Sequence, residues 1–472
     1  MTGISRRTFL TGSAATAAGL TLAGPFEGFV AHAASGKGRG SGGYGPLSPV
    51  PDLRDGAVRL DLPEGFSYRS FHPTGSTIGD GATLPGRHDG MAAFKGRNGN
   101  TIIVRNHEIL GPSSPIGGSA ALYDPLTGGG TVTVEVDGHG NVIDDWVSLQ
   151  GTQNNCAGGP TPWGSWLTCE ETVNGDDVGR DFTGRPNTGQ LQHGYMFEVP
   201  TNGSSDAVPI RAAGRFAHEA AAVPADGHHV YMTEDNFGFP SGFYRYTPPM
   251  SGRRAGRIMD GGTLEMLKVV GVDNADLSLG QAPGATYAVE WVTIDDPDPT
   301  MPPGTTNDEA IVMVGDQGRA KGAAIFSRLE GAYATRDLIY FVSTQGGAQV
   351  DSDPSGFGAG RGQVWAYEDG PKRLHLVYES PGVDTLDLPD NVAASTRGTL
   401  VLCEDGRGDN FLRGLTRKGE VFNFARNADP DQAGQEFAGA TFSHDGSTLF
   451  ANIQSSSGYS IAIWGPWNNG PF

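Results

Sequence analysis

Short apolar runs with a period of two recur along most of the chain, and Gly, Asp, Asn or Pro bounds each run. Examples are TIIVRN, SWLTCEE, HGYMFEVP, HHVYMTED, GFYRYTP, EAIVMVG, LIYFVST, QVWAYE, LHLVYE, TLVLCED and TLFANIQ. Alternation of this kind places successive side chains on opposite faces of a β-strand. The pattern therefore predicts an all-β protein with no helix beyond short turns, and it leaves a sandwich, a barrel or a propeller open.

A repeat within these runs favours the propeller. Five of the strands follow a turn residue, and these residues stand roughly 50 to 65 positions apart, except for one double gap. The turn residues are Gly164, Gly227, Leu338, Gly398 and Gly446. The spacing predicts a β-propeller of six or seven blades with long loop insertions, and the double gap between Gly227 and Leu338 is expected to hide one blade.

The repeat also predicts where functional side chains meet, because equivalent positions of successive blades converge on the propeller axis. Eight positions before the turns stand Cys156, Glu219, Glu330, Asp390 and Ala438, and seven positions after them stand Glu171, Glu234, Gln345, Asp405 and Ile453. Carboxylates crowded on one axis repel each other and need cations or protons to coexist. The sequence therefore predicts an axial metal site, with strand-end acidic residues as the alternative explanation. For Asp89, in RHDG, an axial role and a turn role are equally open.

Composition narrows the function. The 472 residues include 73 glycines and 31 prolines, as many tight turns require, and the net charge is −20. Such a surface should be repelled by nucleic acid and by anionic lipid, so no nucleic-acid binding is expected. An anionic substrate would reach a carboxylate-rich pocket only if cations neutralised that pocket first.

Three cysteines, Cys156, Cys169 and Cys403, allow at most one disulfide. Cys156 lies in the densest segment, GTQNNCAGGPTPWGSWLTCEET. A thiolate there would favour iron, zinc or copper over calcium, whereas a buried structural cysteine is the alternative.

The N-terminus contains SRRTFL, with Arg6 and Arg7, followed by a weakly apolar stretch and AHAA. Twin arginines before such a stretch indicate a twin-arginine export signal. We predict a signal peptide over residues 1–34, a flexible leader over 35–50 and a single propeller domain over 51–472. The export machinery is then expected to be a partner, and the destination is the periplasm or the exterior. No later run is long and apolar enough to span a membrane. We expect a monomer.

Seven segments of the chain are LPEGFSY, VRNHE, NCAGGPTPWGSWLTCEE, GRFAHEAA, SRLEG, LCEDG and FAGATFSHDGSTLFANIQ with the later GPW. Together these segments resemble the PhoX-type alkaline phosphatases, which are exported calcium- and iron-dependent β-propeller enzymes. The cysteine block and the C-terminal block are long and specific, whereas SRLEG is short. The sequence departs from the family pattern at Leu329, at His444 and in QSSSG, and it matches poorly between Gly227 and Leu338.

The resemblance implies a cluster of ferric and calcium ions held by a cysteine and several carboxylates. It implies that Cys156 is an iron ligand and that Arg328 binds phosphate. Together, the resemblance and the repeat give the expected metal ligands Cys156, Glu219, Glu330, Glu108, Asp405, Glu171 and Asp390.

The resemblance thus implies a phosphate ester hydrolase that uses a metal-bound oxygen as nucleophile on a small-molecule substrate. No G-x-S-x-G elbow, Walker-A loop or H-E-x-x-H motif offers a competing chemistry. Two alternatives remain: a calcium-dependent propeller esterase or lactonase, and a binding propeller in which the metals are structural.

Overall fold

The structure is a computed structural model that describes residues 43–181, 184–185, 187, 189, 191–250, 256–351 and 356–472. Within these residues the chain forms strands β1–β26, the helix α1 and three short 3-10 helices. The predicted signal peptide and residues 35–42, the first half of the predicted leader, lie outside the described residues. None of the described helices is long and apolar enough to cross a membrane.

In chain order, the strands are β1 (Leu47–Pro51), β2 (Val58–Pro63), β3 (Ser67–Phe71), β4 (His88–Lys95), β5 (Thr101–His107), β6 (Gly129–Val136), β7 (Val142–Thr152), β8 (Asn155–Pro160), β9 (Ser165–Glu170), β10 (Met196–Pro200), β11 (His218–Ala222), β12 (Val230–Glu234), β13 (Phe243–Thr247), β14 (Thr263–Val269), β15 (Thr286–Thr293), β16 (Leu329–Ala334), β17 (Ile339–Ser343), β18 (Gln363–Glu368), β19 (Arg373–Glu379), β20 (Pro389–Ala394), β21 (Leu400–Glu404), β22 (Phe411–Leu415), β23 (Val421–Asn427), β24 (Phe437–Phe442), β25 (Thr448–Ile453) and β26 (Tyr459–Trp464). The helices are α1 (Asn307–Ala320) and the 3-10 turns Arg211–Ala213, Pro430–Gln432 and Trp467–Asn469.

These strands form a β-propeller of six antiparallel blades. The first blade is β4–β7, the second β8–β10, the third β11–β15, the fourth β16–β19, the fifth β20–β23 and the sixth β24–β26. The first strand of each blade packs against the first strand of the next, and β24 packs against β4, so the six inner strands close a ring. The prediction of an all-β propeller is confirmed, and the blade number is six.

Strands from the N-terminal region complete the last two blades. β3 pairs with β26 at the edge of the sixth blade, while β2 pairs with β23 and with β1 at the edge of the fifth. Joining both ends of the chain in shared sheets covers strand edges that would otherwise be open. Residues 47–50, which belong to the predicted leader, pair with β2 as part of β1.

The described residues between Gly227 and Leu338 form no separate blade, so that part of the prediction is wrong. The interval holds β13–β15, which extend the third blade, and β15 also pairs with β19 of the fourth blade. It also holds α1, where the run EAIVMVG was expected to be a strand. A capping box on Thr306 and Glu309 starts this helix. The blade that the repeat missed is the first one.

The inner strands approach each other closely just beyond the axial positions. A Cβ added to Gly90 would lie 2.5 Å from the Cα of Ala157, and one added to Gly331 would lie 2.7 Å from the Cα of Asn391. Only glycine fits at such distances. Each inner strand also carries a bulge in its pairing with the next strand at this level. The bulges and small residues let six strands converge on a narrow axis.

Candidate metal centre

The same hydrogen bond at one end of each inner hairpin defines the site. An amide that follows the second strand donates to a carbonyl that precedes the first, as from Glu171 to Asn154 at 3.0 Å and from Asp405 to Leu388 at 3.0 Å. We call the acceptor the leading position, the residue two after it the inner position, and the donor the partner position. In blade order the inner positions are Asp89, Cys156, Glu219, Glu330, Asp390 and Ala438, and the partner positions are Glu108, Glu171, Asp235, Thr344, Asp405 and Gln454.

The acidic side chains and the thiol at leading, inner and partner positions form one group around the axis, which we call the axial cluster. Its members are Asp89, Glu108, Cys156, Glu171, Glu219, Asp235, Glu330, Asp390, Asp405 and Glu436. Ligand atoms of Cys156, Glu171 and Glu219 lie within 4.8 Å of one another, and so do those of Glu219, Glu330 and Asp390. Glu219 thus belongs to two adjoining sets of potential metal ligands.

All seven expected ligands and Arg328 come together in or against this cluster. The sequence patterns left Asp89 open and missed Asp235 and Glu436. Asp235 was missed because the hairpin of the third blade is longer than that of the second, so the fixed offset selected its neighbour Glu234. Glu234 instead points into the blade, where it accepts hydrogen bonds from Gly242 and the Tyr244 hydroxyl. Glu436 occupies a leading position, which the offsets did not sample.

The cluster carries too much like charge to stay fully ionised without cations. Burial, reinforced by Glu330, Asp390 and other neighbours, raises the pKa of Glu219 well above its ordinary value. Burial likewise raises the pKa of Glu108 and of Asp390 to about 7. The pKa of the Cys156 thiol is raised by burial and by Glu219. These shifts mean that protons or metal ions must share the site.

Arg328 contributes a cation held by two carboxylates. Its Nε and Nη2 donate to Asp235 at 3.1 and 2.7 Å, and Nη2 also donates to Glu330 at 2.8 Å. Burial acts to lower the pKa of Arg328, but Asp235 and Glu330 outweigh it and raise it. The exposed ring of Phe237 lies 5.3 Å from the guanidinium carbon. Nη1 has no hydrogen-bond acceptor among the described residues and stays free to donate.

The donor set fits the expected metals. Carboxylate oxygens are the ligands that calcium prefers, and their number here suits its high coordination number. The thiol of Cys156 adds one soft donor, which suits iron. This sulfur lies 3.3 Å from the carbonyl oxygen of His218 and borders the carboxylates of Glu171 and Glu219, so a metal bound there would have mixed ligands.

Fold and site together describe a β-propeller with an acidic axial cluster that could hold metal ions. The family model for alkaline phosphatase PhoX matches residues 42–137 and 125–457, and the chain belongs to this family. It is therefore a metal-dependent phosphoric ester hydrolase of the alkaline phosphatase type. The comparison with curated protein sequences yields no match.

One solved structure supports the propeller fold. The chain is similar to Pseudomonas fluorescens PhoX in complex with vanadate, a transition state analogue, with a TM-score of 0.63 and 17% identity over 91% of this chain and 98% of that one. Staphylococcus aureus virginiamycin B lyase gives a TM-score of 0.39 at 10% identity, covering 84% of this chain and 99% of its own. A Xanthomonas campestris gluconolactonase gives 0.37 at 12% identity, covering 89% and 98%. The last two likenesses are too weak to bear on function.

Proposed function

We propose that the axial cluster is the active site of a calcium- and iron-dependent phosphomonoesterase. The observation that carries this proposal is the convergence of Cys156, Glu219 and Glu330 at equivalent positions of successive blades, where carboxylates crowd beside a thiol. Cys156 would hold iron, and carboxylates of the cluster would hold the remaining ions. The expected carboxylate ligands are Glu108, Glu171, Glu219, Glu330, Asp390 and Asp405.

The bound ions would supply the Lewis acidity that polarises the phosphoryl oxygens and activates water. The protein's own part is to fix the ligand geometry and to place positive charge beside the phosphate. Glu219 contributes to both ligand sets and therefore sets their relative position. The tight contacts at Gly90 and Gly331 lock the inner strands that carry these ligands.

Arg328 would bind the phosphate through Nη1, because Asp235 and Glu330 already engage Nε and Nη2. Asp235 therefore orients the guanidinium, and Phe237 covers one side of it. An arginine held in place before substrate arrives stabilises the charge that develops on the phosphoryl group without reorganising in the reaction.

Hydrolysis of 4-nitrophenyl phosphate by the full-length protein tests this function. Calcium- and iron-loaded protein should release 4-nitrophenol, chelation should abolish the release, and adding both metals back should restore it. The phosphate diester and 4-nitrophenyl acetate serve as substrate controls and should react much more slowly. Turnover of the acetate that exceeds turnover of the phosphate would contradict the proposal.

We further propose export by the twin-arginine route to the periplasm or the exterior. The support is the SRRTFL motif with the apolar stretch after it. Replacing Arg6 and Arg7 by lysine should leave the protein in the cytoplasm, as cell fractionation would show.

A further inference from the structure

A second arginine, Arg87, occupies the same place in the first blade as Arg328 does in the fourth. In blade order the leading positions are Arg87, Asn154, Ala217, Arg328, Leu388 and Glu436. Both arginines have left-handed backbones, with φ of 52° for Arg87 and 42° for Arg328. The carbonyl of each accepts the partner-position amide, from Glu108 at 3.0 Å and from Thr344 at 2.9 Å. The two side chains thus start from matching backbone frames.

The order of the blades places these frames opposite each other. The inner strands pack in the ring order β4, β8, β11, β16, β20, β24, and β24 returns to β4. The first and fourth blades are therefore three steps apart in either direction around a ring of six. The leading positions of Arg87 and Arg328 therefore lie on opposite sides of the axis, at the end of the inner hairpins that carries the cluster.

The two arginines differ in how firmly they are held. The Arg328 side chain is 16% exposed and bound by two carboxylates, whereas the Arg87 side chain is 45% exposed. Among the described residues Arg87 has one ionic partner, Glu108, at 3.5 Å from Nη1. A guanidinium offers five N–H donors, so most of those on Arg87 have no partner among the described residues.

We infer that Arg87 binds a second anionic group on the substrate and so favours phosphomonoesters whose leaving group carries an oxyanion. This inference rests on the proposed phosphatase function. With the phosphate at Arg328, a leaving group that extends across the axis would reach the side that carries Arg87. An oxyanion on that group, a carboxylate or a second phosphate, would pair with Arg87. Without Arg87, the acidic cluster would repel the negative charge on the leaving group.

Two aryl phosphates that differ in one charge test this inference. The probes are 4-carboxyphenyl phosphate and 4-carbamoylphenyl phosphate, compared by the ratio of their kcat/KM values on the same enzyme preparation. Partial folding or metal loss cancels in this ratio. A charge-assisted contact at a partly exposed site predicts that Arg87→Gln lowers the carboxylate-to-carboxamide ratio about tenfold. Arg87→Lys should keep part of the preference, and high salt should weaken it in the wild type.

Arg336→Gln is the matched control, because Arg336 is an exposed arginine in the turn at the far end of the fourth-blade hairpin. Its substrate ratio should equal that of the wild type. An unchanged ratio in Arg87→Gln would overturn the inference, whether both substrates lose activity equally or neither does. Failure of the metal-loaded wild type to hydrolyse either probe would overturn the proposed function itself.

Discussion

Cys156 and Cys169 lie on paired strands of the second blade, are both almost fully buried, and have different surroundings. Cys156 borders the carboxylates of Glu171 and Glu219, whereas Cys169 packs in an apolar core with Leu167 and Met196. Burial alone therefore does not mark a ligand. What distinguishes Cys156 is its inner position, where the repeat brings polar donors together.

This contrast predicts that Cys156→Ala loses bound iron and most phosphatase activity while remaining folded. Removing the soft donor weakens iron binding but leaves the carboxylates in place. Cys169→Ala is the matched control and should keep iron while losing about 1–2 kcal/mol of stability to the cavity. Elemental analysis and urea unfolding of both variants check this. Equal iron content in the two variants would rule out Cys156 as an iron ligand.

Sequence alone identified Cys156, Glu219 and Glu330 as equivalent positions of successive blades because inner positions keep a constant distance from the following turn. Asp235 could not be found in this way, since hairpin length varies between blades and hydrogen-bond register, not residue count, decides which side chain faces the axis. The opposition of Arg87 and Arg328 depends on ring order, which a linear repeat with an unrecognised first blade does not reveal.

At the scale of single elements, the end of β9 is held by a buried ionic group outside the axial cluster. His193 Nδ1 lies 2.6 Å from Glu170, and its Nε2 lies 3.5 Å from Asp124. Burial acts to lower the pKa of His193, but the two carboxylates overcome it and raise the pKa to about 9. Glu170 also accepts from the amides of Gln153 and Gly194, so His193 helps fix the loops on either side of Glu171.

We expect His193→Gln to destabilise the protein in a pH-dependent way. The pKa of His193 in the folded protein is about 9, so its charged pairing stabilises the fold fully at pH values below the ordinary histidine pKa. This contribution to the free energy of unfolding disappears as pH rises through 9. The loss should reach about 3 kcal/mol near pH 6 and shrink markedly by pH 10. Urea unfolding at both pH values measures it, with the exposed His228→Gln as control. The same difference in free energy of unfolding between wild type and His193→Gln at both pH values would refute the charged pairing.

Element type was predictable wherever the apolar period was two, as in β5, β12 and β21. The prediction of element type was wrong for α1, because EAIVMVG has the pattern of a buried strand. The capping box at Thr306 and Glu309 and the bonds of Arg319 to Asp316 and Pro240 favour the helix instead. Short apolar runs do not distinguish the two structures by themselves.

At the scale of the whole molecule, the axial cluster links the metal content to the stability of the propeller. Every blade places a leading, inner or partner residue in the axial cluster. Repulsion between unneutralised charges there therefore destabilises the packing of all six blades. Glu108 and Asp390, with pKa values near 7, must bind protons when metals are removed.

Chelated protein should therefore lose stability as pH rises from 5 to 8. The folded, metal-free protein binds more protons than the unfolded chain in this pH range. Deprotonation should therefore lower its free energy of unfolding by at least about 3 kcal/mol. Metal-loaded protein should lack this dependence because cations replace the protons. Urea unfolding of both forms at the two pH values tests it. Parallel pH profiles would show that the cluster does not hold the metals.

Aryl phosphomonoester turnover by Glu219→Gln is the sharpest test of the axial cluster as the active site, because Glu219 belongs to both ligand sets. We predict that the calcium- and iron-treated variant loses at least about 100-fold in kcat, as expected when a metal centre is disrupted. Glu234→Gln, a nearby buried glutamate that faces away from the axis, should turn over at close to the wild-type rate. Wild-type turnover by folded Glu219→Gln would contradict the axial cluster as the active site.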